Sequence, residues 1–314
     1  MILSKKECIL MIGDDMKNKN GFTLVELLAV IAILGILMVF AVPELLSQLK
    51  KSKEDALNRV KDIVISAAKN YVSDYELNAP ISVSITDLCD EDYLECPVKN
   101  PVTDTNMTGY VIANKLDNYM YVNTYIERNI TNLVKNGGME NGTEGFLWFS
   151  PGNKITNDDK YEGNASLYTE TSNRWAGSNF AVDSNEVNIG DVIYLSEYVN
   201  VIEFASDTST MYMTIAPYGG GDFVVASINR ETNGWEKISA LGSITEDKYN
   251  GNFFVGGNYF HKDNESATVN KAYIDNLLAV NLTTTFGKGN EPSKEWCDKN
   301  LSYFDGMSKV YIGG

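Results

Sequence analysis

Gly21-Phe22-Thr23-Leu24-Val25-Glu26-Leu27-Leu28 opens an apolar run that continues to Val42. From Phe22 to Val42 there are twenty-one residues and one charge, Glu26. An α-helix rises about 1.5 Å per residue, so the run can cross a bilayer core about 30 Å thick. A carboxylate inside such a segment is expensive to bury and marks a functional position. Lys5, Lys6, Lys17 and Lys19 precede the run, which predicts a cytoplasmic N-terminus and an outward C-terminus. A secretory signal of the usual kind is cut after its apolar stretch, at small residues; here Gly21 stands before the stretch. Cleavage at Gly21 would leave the apolar segment on the mature chain. Met16 offers a second start, with the short basic leader Met16-Lys17-Asn18-Lys19-Asn20-Gly21.

The block Lys19-Asn20-Gly21-Phe22-Thr23-Leu24-Val25-Glu26, with Pro43 just past the run, resembles the signal of type IV prepilins. The resemblance implies residues 1–21 as a leader, cut between Gly21 and Phe22 by a prepilin peptidase. It implies N-methylation of the new terminal Phe22. It assigns Glu26 to meet the terminal amine of a neighbouring pilin subunit. An α-amine has a reference pKa near 8 and is largely cationic at neutral pH, so the pairing is electrostatically sound.

Helical periodicity continues beyond the membrane. Leu45, Leu46, Leu49, Leu57, Val60, Ile63, Val64, Ala67, Ala68, Tyr71, Val72 and Tyr75 recur at three- and four-residue steps. Residues 22–78 are therefore read as a transmembrane and amphipathic helix, about 80 Å long at 1.5 Å per residue. Pro43 lacks an N–H and is expected to bend or locally melt it. Asn78-Ala79-Pro80 ends it.

Residues 79–130 read as a small head. Ile81, Val83 and Ile85 alternate as a short strand, and Tyr110–Ala113 and Tyr119–Val122 as a hairpin. Leu88 to Pro101 reads as a polar loop, which Cys89 and Cys96, on the outward side of the membrane, are expected to close as a disulfide. Thr86-Asp87-Leu88, Tyr93-Leu94, Pro97 and Asn100-Pro101-Val102-Thr103 resemble Gram-positive pilins and pseudopilins. Of the other cysteines, Cys8 falls in the leader and Cys297 is left without a role.

From residue 131 the composition changes to short alternating strands rich in Gly, Asn and aromatics, which favours a sandwich or jelly roll. Asn132-Leu133-Val134-Lys135-Asn136-Gly137-Gly138-Met139-Glu140 resembles the first strand of jelly-roll carbohydrate-binding modules. Tyr161-Glu162-Gly163-Asn164-Ala165-Ser166-Leu167, Gly234-Trp235-Glu236-Lys237-Ile238 and Ala272-Tyr273-Ile274-Asp275-Asn276-Leu277 follow in the matching order. The resemblance implies a structural calcium held by Glu140 and Asp275, with backbone oxygens near Glu162 and Gly163. It places Arg174 and Trp175 at a sugar cleft. Tyr259, Tyr212 and Tyr218 are lesser candidates for sugar contact; Trp148 and Trp235 are expected in the core. The module is read as residues 131–285 and the remainder, 286–314, as a C-terminal tail with a short helix from Pro292 to Lys299.

The fold class expected is α+β: a long spine helix with a small pilin-like head, then an all-β jelly roll. A net charge of −16 and four arginines, Arg59, Arg128, Arg174 and Arg230, argue against direct nucleic-acid binding. One histidine, His261, removes most histidine-based catalysis and histidine zinc sites. Gly287-Lys288-Gly289 lacks the Gly-Lys-Ser/Thr of a phosphate loop. The expectation is a non-enzymatic, membrane-inserted pilin-like subunit of a surface filament, with a glycan-adhesive module. The partners expected are a prepilin peptidase, other pilins, the cell membrane and glycans. The alternative is a pseudopilin of a secretion or DNA-uptake system, with the extra module as a spacer or protein contact.

Overall fold

The computed structural model describes residues 23–172, 177–218, 221–245, 252–262 and 268–313. Gly21, Phe22, Arg174 and Trp175 lie outside the described residues.

Leu24–Asp74 form one helix, α1, of 51 residues. Of the bend or local melting expected at Pro43, the melting does not occur: the helix is continuous through it. One main-chain bond is lost, and the residues on both sides remain helical. The first half leaves its apolar side chains open, with Leu24 and Phe40 each 75% exposed. Further along, Val64, Ala67, Ala68 and Val72 are buried, the single stripe expected of an amphipathic helix.

Ile81–Ser84 is β1, and Ile85–Asp90 is α2 rather than a continuation of the strand. Ser84 and Asp87 form a capping box there, each side chain accepting the other's backbone N–H. Leu88, assigned to a polar loop from sequence, is fully buried in that helix. Tyr110–Ala113 (β2) and Tyr119–Val122 (β3) pair as the expected hairpin, and β1 adds to β2. Lys61 and Lys69 of α1 reach over the rings of Tyr121 and Tyr119 on β3. Tyr125–Thr131 is β4.

The sandwich follows. Its strands are Phe146–Phe149 (β5), Asn153–Thr156 (β6), Ser166–Thr171 (β7), Ser178–Val182 (β8), Val192–Glu203 (β9), Thr208–Pro217 (β10), Val224–Ile228 (β11), Glu236–Ser243 (β12), Phe253–Lys262 (β13) and Asn270–Asn281 (β14). They build two five-stranded antiparallel sheets, ordered β11-β10-β13-β8-β5 and β12-β9-β14-β7-β6. Leu195, Val199 and Val201 from one sheet meet Met211, Met213, Ile215 and Val255 from the other in a closed core. The fold is thus a long apolar helix followed by a large all-β sandwich, as the sequence led us to expect.

Residues 286–314 are more than a tail. Leu282–Phe286 (α3) and Lys294–Asn300 (α4) lead to Met307–Gly313 (β15), which pairs antiparallel with β4 from Met307↔Thr131 to Gly313↔Tyr125. Cys297 is buried there among Ile130, Tyr194, Leu278, Leu301 and Val310. Burial pushes its thiol up to about 12, which suits a core residue rather than a reactive one.

Candidate functional site

At the start of α1, Thr23 and Glu26 grip one another. The Thr23 N–H and hydroxyl both donate to Glu26 Oε2 at 2.9 Å, and the Glu26 N–H donates back to Thr23 Oγ1 at 3.3 Å. This is a capping box, Thr-x-x-Glu, a pattern written in the sequence itself. Glu26 therefore satisfies local donors at the helix start in the isolated chain. The helix is long and apolar enough to cross a membrane.

The second candidate region lies on the outer face of the β11-β10-β13-β8-β5 sheet. Met211, Met213 and Ile215 point into the core, so Tyr212 on β10 must point out. Tyr259 on β13 lies opposite it, and the two rings stack with centroids 5.5 Å apart. The floor is glycine. A Cβ at Gly177 would come within 2.7 Å of the Tyr259 ring, and one at Gly256 would run into it. The Tyr259 hydroxyl donates to Asn179 Oδ1 on the neighbouring strand. Tyr218 meets Phe254 edge-on at 5.4 Å near the end of β10. Partial burial and the nearby Asp222 carboxylate push Tyr212 up to about 12, so both tyrosines of the stack stay neutral at physiological pH.

Two further aromatics depart from expectation. Trp148, expected in the core, is 44% exposed, because Phe146 and Phe149 take the inward places on β5. Trp235 is half-buried, with its indole N–H donating to Asp159 Oδ1 at 3.0 Å. His261 pairs with Ser209 on the edge of β13, consistent with a structural role.

Glu140 and Asp275, far apart in sequence, grip one turn. Glu140 Oε1 accepts the N–H groups of Asn164 at 2.7 Å and Ala165 at 3.2 Å, and Oε2 accepts the Asn164 amide at 3.1 Å. Asp275 Oδ2 accepts the N–H groups of Tyr161 at 3.0 Å and Glu162 at 3.2 Å, while Oδ1 accepts that of Asn276 at 2.7 Å. Burial raises the Asp275 carboxyl to about 6, against these donors, and the negative Glu140 adds to the rise. Around Glu140, burial opposes ionisation, but the three donors outweigh it and hold the carboxyl below its usual range. The pair fits a cation in charge. In number it falls short of the six to eight oxygens that calcium takes, and among the described residues no group of three or more His, Cys, Asp or Glu side chains converges on one point.

Residues 16–42 match the prokaryotic N-terminal methylation motif. Over 63 residues, 20% of the chain, the sequence is 44% identical to the type II secretion system core protein G of Vibrio cholerae serotype O1, and it spans 40% of that protein's length. Among solved structures, a family 16 carbohydrate binding module-2 is 17% identical, covering 48% of this chain and 99% of its own, at a TM-score of 0.36. The CBM22-1 xylan-binding domain of a Paenibacillus barcinonensis protein is 16% identical, covering 48% of this chain and 94% of its own, at a TM-score of 0.31. Likenesses this distant carry no argument about a ligand. The chain thus carries a prokaryotic N-terminal methylation motif at the head of a membrane-length helix, is similar there to a type II secretion system core protein, and continues into an all-β sandwich.

Proposed function

We propose that the chain is a pilin-like subunit, cut before Phe22 by a prepilin peptidase, methylated there, and assembled through its exposed apolar helix into a cell-surface filament or its tip. The observation that carries this is the apolar helix itself: its side chains stay open from Leu24 to Val42, and the one acid in that stretch is Glu26 in the first turn. A surface so apolar needs lipid or sister helices. The N-terminus faces the cytoplasm and the sandwich faces out. In the assembled state the Glu26 carboxylate exchanges its Thr23 donors for a neighbour's terminal amine. Substituting Glu26→Ala in cells and shearing off surface filaments tests this; filaments formed at wild-type levels would contradict it.

The sandwich is the adhesive part and binds glycans without chemistry. The support is the Tyr212–Tyr259 platform, because sugar sites combine aromatic faces with a few polar groups. Arg174 and Trp175 are kept as proposed sugar-contact residues on their sequence context alone. A structural calcium bound by Glu140 and Asp275 would fix the 161–165 turn and relieve the repulsion between the two carboxylates. Carbonyls and water would supply the remaining oxygens. Calorimetry and thermal unfolding with added calcium test it; neither heat nor a shift in Tm would remove it.

A second reading is favoured by the similarity to a type II secretion system core protein: a pseudopilin whose sandwich is a spacer or protein contact. A glycan array separates the two, since the spacer reading predicts no bound sugar.

A further inference from the structure

A second concave surface lies away from the Tyr212–Tyr259 platform, where the head meets the other sheet. It is a cleft of about 430 Å³ whose walls include Leu116 and Asp117 from the β2–β3 turn, Tyr161 and Glu162 from the turn before β7, and Tyr198 on β9. The Tyr161 and Tyr198 rings stack with centroids 3.6 Å apart and planes 13° from parallel. Tyr161 remains 43% exposed, and one of its faces is taken by Tyr198, so its open face is the other. Trp235 flanks it at 6.0 Å.

This aromatic is held in place. Its own N–H and that of Glu162 are bound by Asp275, and the Asn276 amide donates to Glu162 Oε2 at 2.9 Å. Asn276 sits at φ +53° in the β14 irregularity opposite β9, which brings that amide to the cleft. The facing wall is acidic. Asp117 is exposed on the hairpin turn, close enough to Tyr198 to disfavour its ionisation after burial and Tyr161 have done so. The cation at the cleft, Lys115, is engaged elsewhere: its ammonium donates to the Asp298 carbonyl at 2.8 Å.

A fixed, half-open tyrosine ring in a cleft lined by two carboxylates and an amide matches the two surfaces of a pyranose. The ring takes the C–H face, and carboxylates, which only accept hydrogen bonds, take vicinal hydroxyls. An acidic sugar would meet Asp117 and Glu162 as like charges. We propose that this cleft is a second saccharide subsite, selective for neutral or amino-sugar oligosaccharides, and that it exists because the head hairpin supplies one wall of it. It shares no residue with the Tyr212–Tyr259 platform, so the two stand or fall separately.

The test uses the full chain in detergent micelles on an array of neutral, amino-sugar and acidic oligosaccharides, comparing wild type, Asp117→Ala, Tyr161→Ala and Tyr259→Ala. Asp117→Ala is the guarded variant, since it alters an exposed turn; thermal unfolding confirms that each variant is folded. The expected result is that Tyr259→Ala retains binding to neutral or amino sugars. Adding Asp117→Ala or Tyr161→Ala to it weakens that binding at least tenfold, and acidic sugars do not compete. Three outcomes overturn the proposal: Tyr259→Ala alone abolishes all binding, Asp117→Ala and Tyr161→Ala leave neutral-sugar affinity unchanged, or the residual binding is confined to acidic sugars. If Tyr259→Ala changes nothing while Asp117→Ala abolishes binding, the cleft stands and the platform falls.

Discussion

Asn114 and Tyr311 exchange two hydrogen bonds: the Asn114 amide donates to the Tyr311 carbonyl at 2.7 Å, and the Tyr311 N–H donates to Asn114 Oδ1 at 2.7 Å. The partners are 197 residues apart in sequence, and both are buried. A side chain from the head hairpin thus takes the place of a sheet neighbour for the last strand. Tyr125 packs edge-on against Tyr311 at 5.2 Å and against Tyr110 at 5.0 Å, so the junction is both dry and paired.

Asn114→Ala leaves a buried N–H and C=O of Tyr311 without partners. Each such group costs about 1–3 kcal/mol, so roughly 2–6 kcal/mol of stability is lost. Denaturant unfolding should report it, and limited proteolysis should release the β15 segment first. A variant as stable as wild type would mean that water replaces the amide.

Glu197 is fully buried on the core-facing side of β9, and neither carboxylate oxygen has a hydrogen-bond partner among the described residues. Gly257 keeps room for it: a Cβ there would come within 3.1 Å of Glu197 Oε2. Burial raises the carboxyl from 4.5 to about 8. The native state therefore holds a proton that the unfolded chain gives up above its ordinary value. That stability is fully present at low pH and is lost as pH rises from the unfolded value through the folded one, by about 1.4 kcal/mol per pH unit. Wild type should lose stability relative to Glu197→Gln between pH 5 and 8, measured by urea unfolding at each pH. Parallel curves would show that the carboxyl finds a partner.

At Gly256 the backbone is ordinary, but an added Cβ would enter the Tyr259 ring and come within 3.1 Å of Asn179 Oδ1. In an Asp117→Ala background, which removes the head cleft, Gly256→Ala should displace the ring and weaken the remaining glycan binding at least tenfold, with a small change in Tm. Unchanged affinity on the array would remove Tyr259 from the recognition surface.

The Cys89–Cys96 disulfide closes a seven-residue separation. It encloses Tyr93, whose ring meets Tyr71 of α1 edge-on at 5.3 Å and whose hydroxyl donates to Asp74 at 2.8 Å. Cys89→Ser with Cys96→Ser should cost about 2 kcal/mol, the low end for a short loop. Differential scanning calorimetry with and without reductant checks it, and the double variant should be insensitive to reductant.

The parts of the fold that were legible are those written locally. The 3.6-residue period marked α1, alternation marked the β2–β3 hairpin, and Ser293 capping α4 left its trace near Pro292. The return of β15 to β4 was not legible, because a pairing across so much chain leaves only strand propensity in the sequence. Trp148 misled because size suggested burial, whereas the register of Phe146 and Phe149 decided it. Glu197 is in phase with Ile193, Leu195, Val199 and Val201, yet a carboxylate there reads as an interruption of the strand's inner face. Among the candidate site residues, Glu140 and Asp275, named from the resemblance to carbohydrate-binding modules, both bind the backbone of one turn. The stacking of Tyr161 on Tyr198 was missed, since neither position carries a local signal.

Under the proposed function the apolar helix stays on the processed protein, with Phe22 as its first residue. Intact-mass and N-terminal sequence analysis of the protein recovered from its own cells tests it most directly. The expected product is a chain beginning at N-methylated Phe22. A chain that keeps residues 1–21, or one cut beyond Val42, would contradict it.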